Sequence, residues 1–132
     1  MSNGSTPITI VGNLTGDPEL RFTAQGVAVA NFSVAVNRKT FNQGTKRWED
    51  SGTDFHRVTV WRSLAENATE SLKRGDRVIV QGTLESNQYE TREGEKRITW
   101  EITGYAVGPD LMFATADVTR VEVKKDAKGS RR

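Results

Sequence analysis

A chain of 132 residues is the usual size of one domain, long enough to bury a single hydrophobic core. It holds no Cys and one His, which excludes a disulfide framework or thiolate metal site and gives a His-based site too few ligands, so no metal and no cofactor are expected. Formal net charge is +2, but the basic excess lies at the end: Arg120 to Arg132 hold six Lys or Arg and two acids, which leaves residues 1–119 at net −2. Bulk charge therefore does not establish a polyanion partner. The opening Met1-Ser-Asn-Gly-Ser-Thr-Pro7 has neither the basic start nor the apolar stretch of a signal peptide. No apolar run approaches the roughly 20 residues that span a bilayer, so a cytoplasmic place without membrane contact is expected.

In chain order, Ile8 to Leu14 reads as a first strand, and Gly16-Asp-Pro18 as a turn leading into a hairpin-like return. From Gly26 to Asn37 the pattern alternates, with Ala28, Ala30, Phe32, Val34 and Val36 on one face and Asn31, Ser33 and Asn37 on the other, as in a half-buried strand. Thr40 to Gly52 is rich in Asn, Gln, Gly, Thr and Lys without a sustained period, so a long exposed loop carrying Phe41 and Trp48 is expected. Thr53 to Trp61 is a third strand. Ser63 and Glu66 then form a capping-box pattern, and Leu64, Ala68 and Leu72 recur every fourth residue, predicting one short helix ended by Gly75. Val78 to Glu90 and Ile98 to Val107 are two further strands joined by a hairpin loop at Arg92-Glu-Gly94-Glu, and Gly108-Pro109 closes the second. Leu111 to Val123 has the pattern of an additional strand, and Lys124 to Arg132 that of a basic disordered tail, giving a domain over 1–123 and a tail over 124–132. The fold class is all-β: five strands with a single short helix between the third and fourth match the five-stranded Greek-key barrel called the OB-fold, plus an extra C-terminal strand.

Within the third strand, Phe55, Arg57, Thr59 and Trp61 fall at every second position and so share a face, opposite Val58 and Val60. Flat apolar rings beside cations are what unstacked nucleic-acid bases and their phosphates require. A solvated sheet face bearing an Arg would show the same pattern in one strand. What raises the nucleic-acid reading is recurrence: Phe41, Trp48, Phe55 and Trp61 are interleaved with Arg38, Lys39, Lys46, Arg47, Arg57 and Arg62, against only Glu49, Asp50 and Asp54. The second and third strands of an OB-fold are also its usual oligonucleotide face. Arg57 and Arg62 are the foremost candidate phosphate contacts, followed by Arg38, Lys39, Lys46, Arg47, Lys73 and Arg74; for each Lys the alternative is an ordinary solvated charge. Trp100 alternates with Ile98 and Ile102 and is expected in the core or at an interface.

The chain resembles bacterial single-stranded DNA-binding proteins of the replication and repair type, with affinities to actinobacterial members. The resemblance rests on Val11-Gly-Asn-Leu14 with Gly16-Asp-Pro18, Val29-Ala-Asn-Phe-Ser-Val-Ala-Val-Asn37, Phe55-His-Arg-Val-Thr-Val-Trp61, Leu64-Ala-Glu66, Lys73-Arg-Gly75 and Val80-Gln-Gly-Thr-Leu84, and later on Val107-Gly-Pro-Asp-Leu111 with Phe113-Ala-Thr115. It implies base stacking on Phe41, Phe55, Trp61 and Tyr89, and sequence-independent binding and protection of single-stranded DNA in replication, recombination and repair; Trp48 is a weaker stacking candidate from its place on the expected loop. It also implies a homotetramer with His56 near a subunit contact, a segment from Leu111 that clamps neighbouring subunits, and a place on the nucleoid.

Two departures stand out. Where the family often has cations before the stacking Tyr, this chain has Glu85-Ser-Asn-Gln-Tyr89, and where the family carries an acidic, hydrophobic tip that recruits replication and repair proteins, this sequence ends in Lys-Gly-Ser-Arg-Arg132. Three rivals remain: an enzyme, for which no nucleophile, base or metal cluster is legible; an OB-fold accessory protein acting through protein contacts, like a primosomal component, whose face should carry fewer rings; and an RNA-binding OB domain.

Overall fold

The computed structural model describes residues 4–122. The elements in order are β1 (Thr6–Leu14), β2 (Glu19–Phe22), β3 (Ala28–Asn42), β4 (Arg47–Trp61), α1 (Arg62–Ser71), β5 (Arg77–Glu90) and β6 (Lys96–Pro109). Five of the strands close a ring. β1 pairs antiparallel with β5 along Thr6 to Asn13, β5 with β6, β6 parallel with β4, and β4 with β3; β3 then returns to β1 through Asn13↔Ala35 and Leu14↔Val34. β2 adds a short outer strand to β3 only. The expected OB-fold barrel is thus present, with its helix between the third and fourth barrel strands.

Closing a sheet on itself leaves one face of every strand inside. The alternation in β3 and β4 sends Ala28, Ala30, Phe32, Val34, Val58 and Val60 inward, where Ile10, Leu14, Val78, Val80 and Ile102 meet them. Ala65, Ala68 and Leu72 cap the same core from the helix side. Space at the closure is narrow: a Cβ on Gly12 would lie 2.3 Å from the Ala35 carbonyl oxygen, so β1 and β3 approach each other over a bare Cα.

Three sequence expectations are corrected. Thr40 to Gly52 is not a loop: β3 and β4 continue as a ladder to Asn42↔Arg47, with a turn at residues 43–46. Asn42 stabilises that turn through its Oδ1, which accepts the N–H groups of Gly44 and Thr45, and Lys46 takes a left-handed φ of 59°. The arm lies beyond the core, so neither face needs an apolar row and the strand period is absent from the sequence. The helix, second, begins at Arg62 with Trp61 as an extended N-cap and no side-chain cap bond, so Ser63 and Glu66 form no capping box; it ends at Ser71, ahead of Gly75. Third, residues 111–122 form no strand. A strand needs a ladder for its N–H and C=O groups. In this stretch Asp110 N–H bonds Arg77 O, and no further backbone pair follows among the described residues. The tail at 124–132 lies outside the described residues.

What holds the start of that final segment is Arg77. Its Nε donates to Asp110 Oδ2 at 2.6 Å, and its guanidinium stands 5.9 Å from the Phe113 ring centroid. The Arg77 hydrogen bond holds the Asp110 carboxyl below the usual carboxylate range, opposed by burial and assisted by the Met112 N–H.

Replacing Gly12 by Ala should lower stability by about 1–3 kcal/mol through overpacking at the closure, seen as a lower urea midpoint at unchanged m. The Asp110 contact contributes above the ordinary Asp pKa and is lost as pH falls through the depressed folded value. In an NMR titration, the Phe113 ring signals should therefore shift only at pH below the usual Asp range, and Arg77→Gln should return the Asp110 midpoint upward.

Candidate nucleic-acid interface

Directly paired residues share a sheet face, so the register maps the outer surface. Phe55, Arg57, Thr59 and Trp61 on β4 pair with Ala35, Ser33, Asn31 and Val29 on β3, all on the side away from Val58 and Val60. On the other flank, Arg57 and Thr59 stand opposite Glu101 and Thr103 of β6, which pair with Glu85 and Thr83 of β5. Alternation along β5 then adds Tyr89 to the same outer face. The rings are uncovered: Phe55 is 68% exposed, Tyr89 51% and Trp61 43%.

Trp48 reaches this face through an irregularity. An even-numbered residue of β4 ought to lie on the inner side. However, Arg38 pairs with Gly52 and Lys39 with Asp50, leaving Ser51 as one extra residue in β4. Such a bulge reverses the alternation beyond it. Gly52 occupies the bulge at φ +141°, with the Arg38 guanidinium 2.6 Å from where a Cβ would stand, a conformation and a space suited to Gly. In consequence Trp48 pairs with Phe41 in phase with Phe55, and the two rings meet edge to face with centroids 5.3 Å apart. Trp48 is 68% exposed and Phe41 half-covered beneath it, so the outer ring of this pair is Trp48.

The candidate cations divide into groups. Arg57 lies on the face itself, Arg62 directly follows Trp61, Lys46 ends the arm's turn and Arg47 opens β4 next to it, paired with Asn42; none has an ion-pair partner among the described residues. Lys39 is bound to Asp50 at 2.5 Å, on the outer side of the arm, and Arg38 to Asp54 at 3.0 Å, on the inner side. Lys73 and Arg74 belong to the turn between α1 and β5, where their backbone N–H groups bond Asp76 and Asp17; the register does not bring them to the ring face. His56 is half-buried on the inner side, opposite Val34.

Trp100 is not in the core. It follows Ile102 inward by alternation, but the β5–β6 hairpin runs past the barrel there, leaving Trp100 60% exposed beside Ile98. One cation was missed by sequence reasoning: Arg21 on β2 is level with Val29 and hence with Trp61, and its Nη1 donates to Asn31 Oδ1 at 2.5 Å. β2 has four residues, too few for a period to reveal it. Among the described residues no group of three His, Cys, Asp or Glu is placed to hold a metal ion, and no helix is long and apolar enough to cross a membrane.

Known proteins resemble this chain. Residues 6–109, the span from β1 to β6, match the single-strand binding protein family. A single-stranded DNA-binding protein of Corynebacterium glutamicum is 55% identical over 120 residues, 91% of this chain, which spans 53% of that relative's length. One from Mycobacterium tuberculosis is 53% identical over 117 residues, 89% of this chain and 71% of the relative. Among solved structures, a small single-stranded DNA-binding protein from Streptomyces coelicolor superposes with a TM-score of 0.71 at 36% identity, covering 83% of this chain and 97% of that one. With the closed barrel, the outward rings and the match running from the first strand to the last, the chain belongs to the single-strand binding protein family.

Proposed function

We propose that the chain binds single-stranded DNA on the outer face of β3, β4 and the two hairpin arms, stacking bases on Phe55, Trp61, Trp48 and Tyr89, with Phe41 supporting Trp48. The observation that carries this reading is the set of uncovered aromatic rings aligned by register on one face with Arg57. Large rings left in water are unfavourable for a lone domain and suit a face that a partner covers. Single-stranded bases fit because each has a π-face, so every ring can be used whatever the sequence. Such binding acts by mass action: it draws the unpaired form out of the re-pairing equilibrium and involves no catalysis.

The phosphates fall to Arg57, Arg62, Lys46 and Arg47. Arg38 and Lys39 are tied to acids, and Lys73 and Arg74 lie away from the rings, so these four serve less directly. The rival reading, a protein-contact module, called for a face with few rings, which this one is not. Membership of the family supports a cytoplasmic role in replication, recombination and repair as a homotetramer, with half-buried His56 near a subunit contact and replication or repair enzymes as further partners.

Phe55→Ala and Trp61→Ala should each weaken binding to oligo-thymidine by about 1–3 kcal/mol, roughly 5- to 150-fold in Kd. Titration by intrinsic Trp fluorescence quenching, with duplex DNA and RNA of equal length as competitors, reads this directly. Unchanged affinity in both variants would reject stacking, and equal competition by RNA would favour the RNA-binding reading. Asp50→Asn, by freeing Lys39 from a surface pair worth about 0.2–1 kcal/mol, should tighten binding by up to roughly fivefold in the same assay.

A further inference from the structure

We propose that Arg21, Asn31 and Thr59 form a phosphate subsite at the Trp61 end of the face, leading the backbone of a bound single strand from β4 across β3 onto β2. The subsite rests on the single-stranded DNA reading and specifies the path that the strand takes.

The three side chains make one hydrogen-bonded row over three strands. Arg21 Nη1 donates to Asn31 Oδ1 at 2.5 Å, and Asn31 Nδ2 donates to Thr59 Oγ1 at 2.7 Å. The direction of the row is forced. A guanidinium can only donate, so the Asn31 oxygen must face Arg21 and its NH2 must face Thr59. The Thr59 oxygen thereby accepts, and its own hydroxyl hydrogen has no acceptor among the described residues. Arg21 keeps further N–H donors, and no acid lies within ion-pair distance of it among the described residues, although Glu19 shares the β2 face opposite Asn31. Both ends of the row therefore offer donors, and a phosphodiester oxygen offers only acceptors.

The opposite flank of β4 has the reverse chemistry. Thr103 stands beside Thr59 in the parallel register, yet its hydroxyl donates to Glu85 Oε1 at 3.2 Å, and Glu101 stands beside Arg57. Two carboxylates, Glu85 and Glu101, line the β5–β6 side near the barrel, whereas the β3–β2 side sets one, Glu19, against the Arg21 guanidinium and the free Thr59 hydroxyl hydrogen. A polyanion leaving Trp61 is repelled on the first side and met by donors on the second.

The experiment is a salt series of oligo-thymidine binding to the full chain and to Arg21→Gln, Arg21→Lys and Thr59→Val, each checked for an unchanged thermal midpoint. Loss of one single-strand phosphate contact lowers the slope of log K against log salt by about 0.7. Arg21→Gln should show that loss, and Arg21→Lys should restore the slope. Thr59→Val should weaken binding roughly 3- to 10-fold at unchanged slope, as a neutral donor does. If Arg21→Gln loses affinity with the wild-type slope, Arg21 merely supports the sheet and the subsite is overturned; unchanged affinity and slope overturn it equally. If the unmodified chain fails to bind the oligonucleotide at all, the single-stranded DNA reading falls first and the subsite with it.

Discussion

Everything in this molecule depends on the ladder between β3 and β4, which runs from Val29↔Trp61 to Asn42↔Arg47 with a single register shift. A strand's side chains alternate strictly, so pairing at one position determines which face every other residue takes. Here it buries Val34, Val58 and Val60 completely and leaves Phe55 and Trp61 in solvent. Core and interface are two sides of one ladder. A slip of one residue would exchange them, placing rings in the core and Val on the surface, and the volume of the closed barrel forbids that exchange.

The same ladder carries its own modification. Beyond the barrel there is no core to enforce the phase, and the extra residue at Ser51 resets it so that Phe41 and Trp48 continue the outer row. The arm is thus an extension of the ring-bearing face made from residues with no part in the core. Its charges are managed locally: Asp50 and Asp54 hold Lys39 and Arg38, while Lys46 and Arg47 at the arm's end form no ion pair among the described residues. The cations left without an ion pair are thereby those at the arm's end and Arg57, rather than those along the hairpin.

Charge also distinguishes the two flanks. The residues before Tyr89 that depart from the family's usual cations include Glu85, and the structure sets it beside Glu101 and Thr103, close to Arg57. The mildly acidic body of the chain is therefore no obstacle to a polyanion: of the outer-face carboxylates, Asp50 is held by Lys39, Glu85 and Glu101 lie on the β5–β6 side, and Glu19 shares β2 with Arg21. Local arrangement overrides the sum of charges, since screening shortens the reach of each one to about 10 Å.

Alternation made the barrel strands, their inner residues and the ring row of β4 legible in the sequence, because a half-buried strand must write a period of two into its side chains. Phe55, Arg57 and Trp61 needed nothing more. The sequence by itself could not reveal the arm, where both faces are solvated and no period is required, nor the phase of Trp48, which hinges on one unpaired residue. It likewise suggested a capping box and a last strand that the fold does not use: Trp61 feeds directly into the helix, and the residues after Asp110 find no ladder among the described residues. Composition and periodicity determined what each strand buries and what it displays. Only the tertiary structure decided which displayed residues meet across strands, as Arg21, Asn31 and Thr59 do, because register between distant segments is fixed by the closure of the barrel and not by any local pattern.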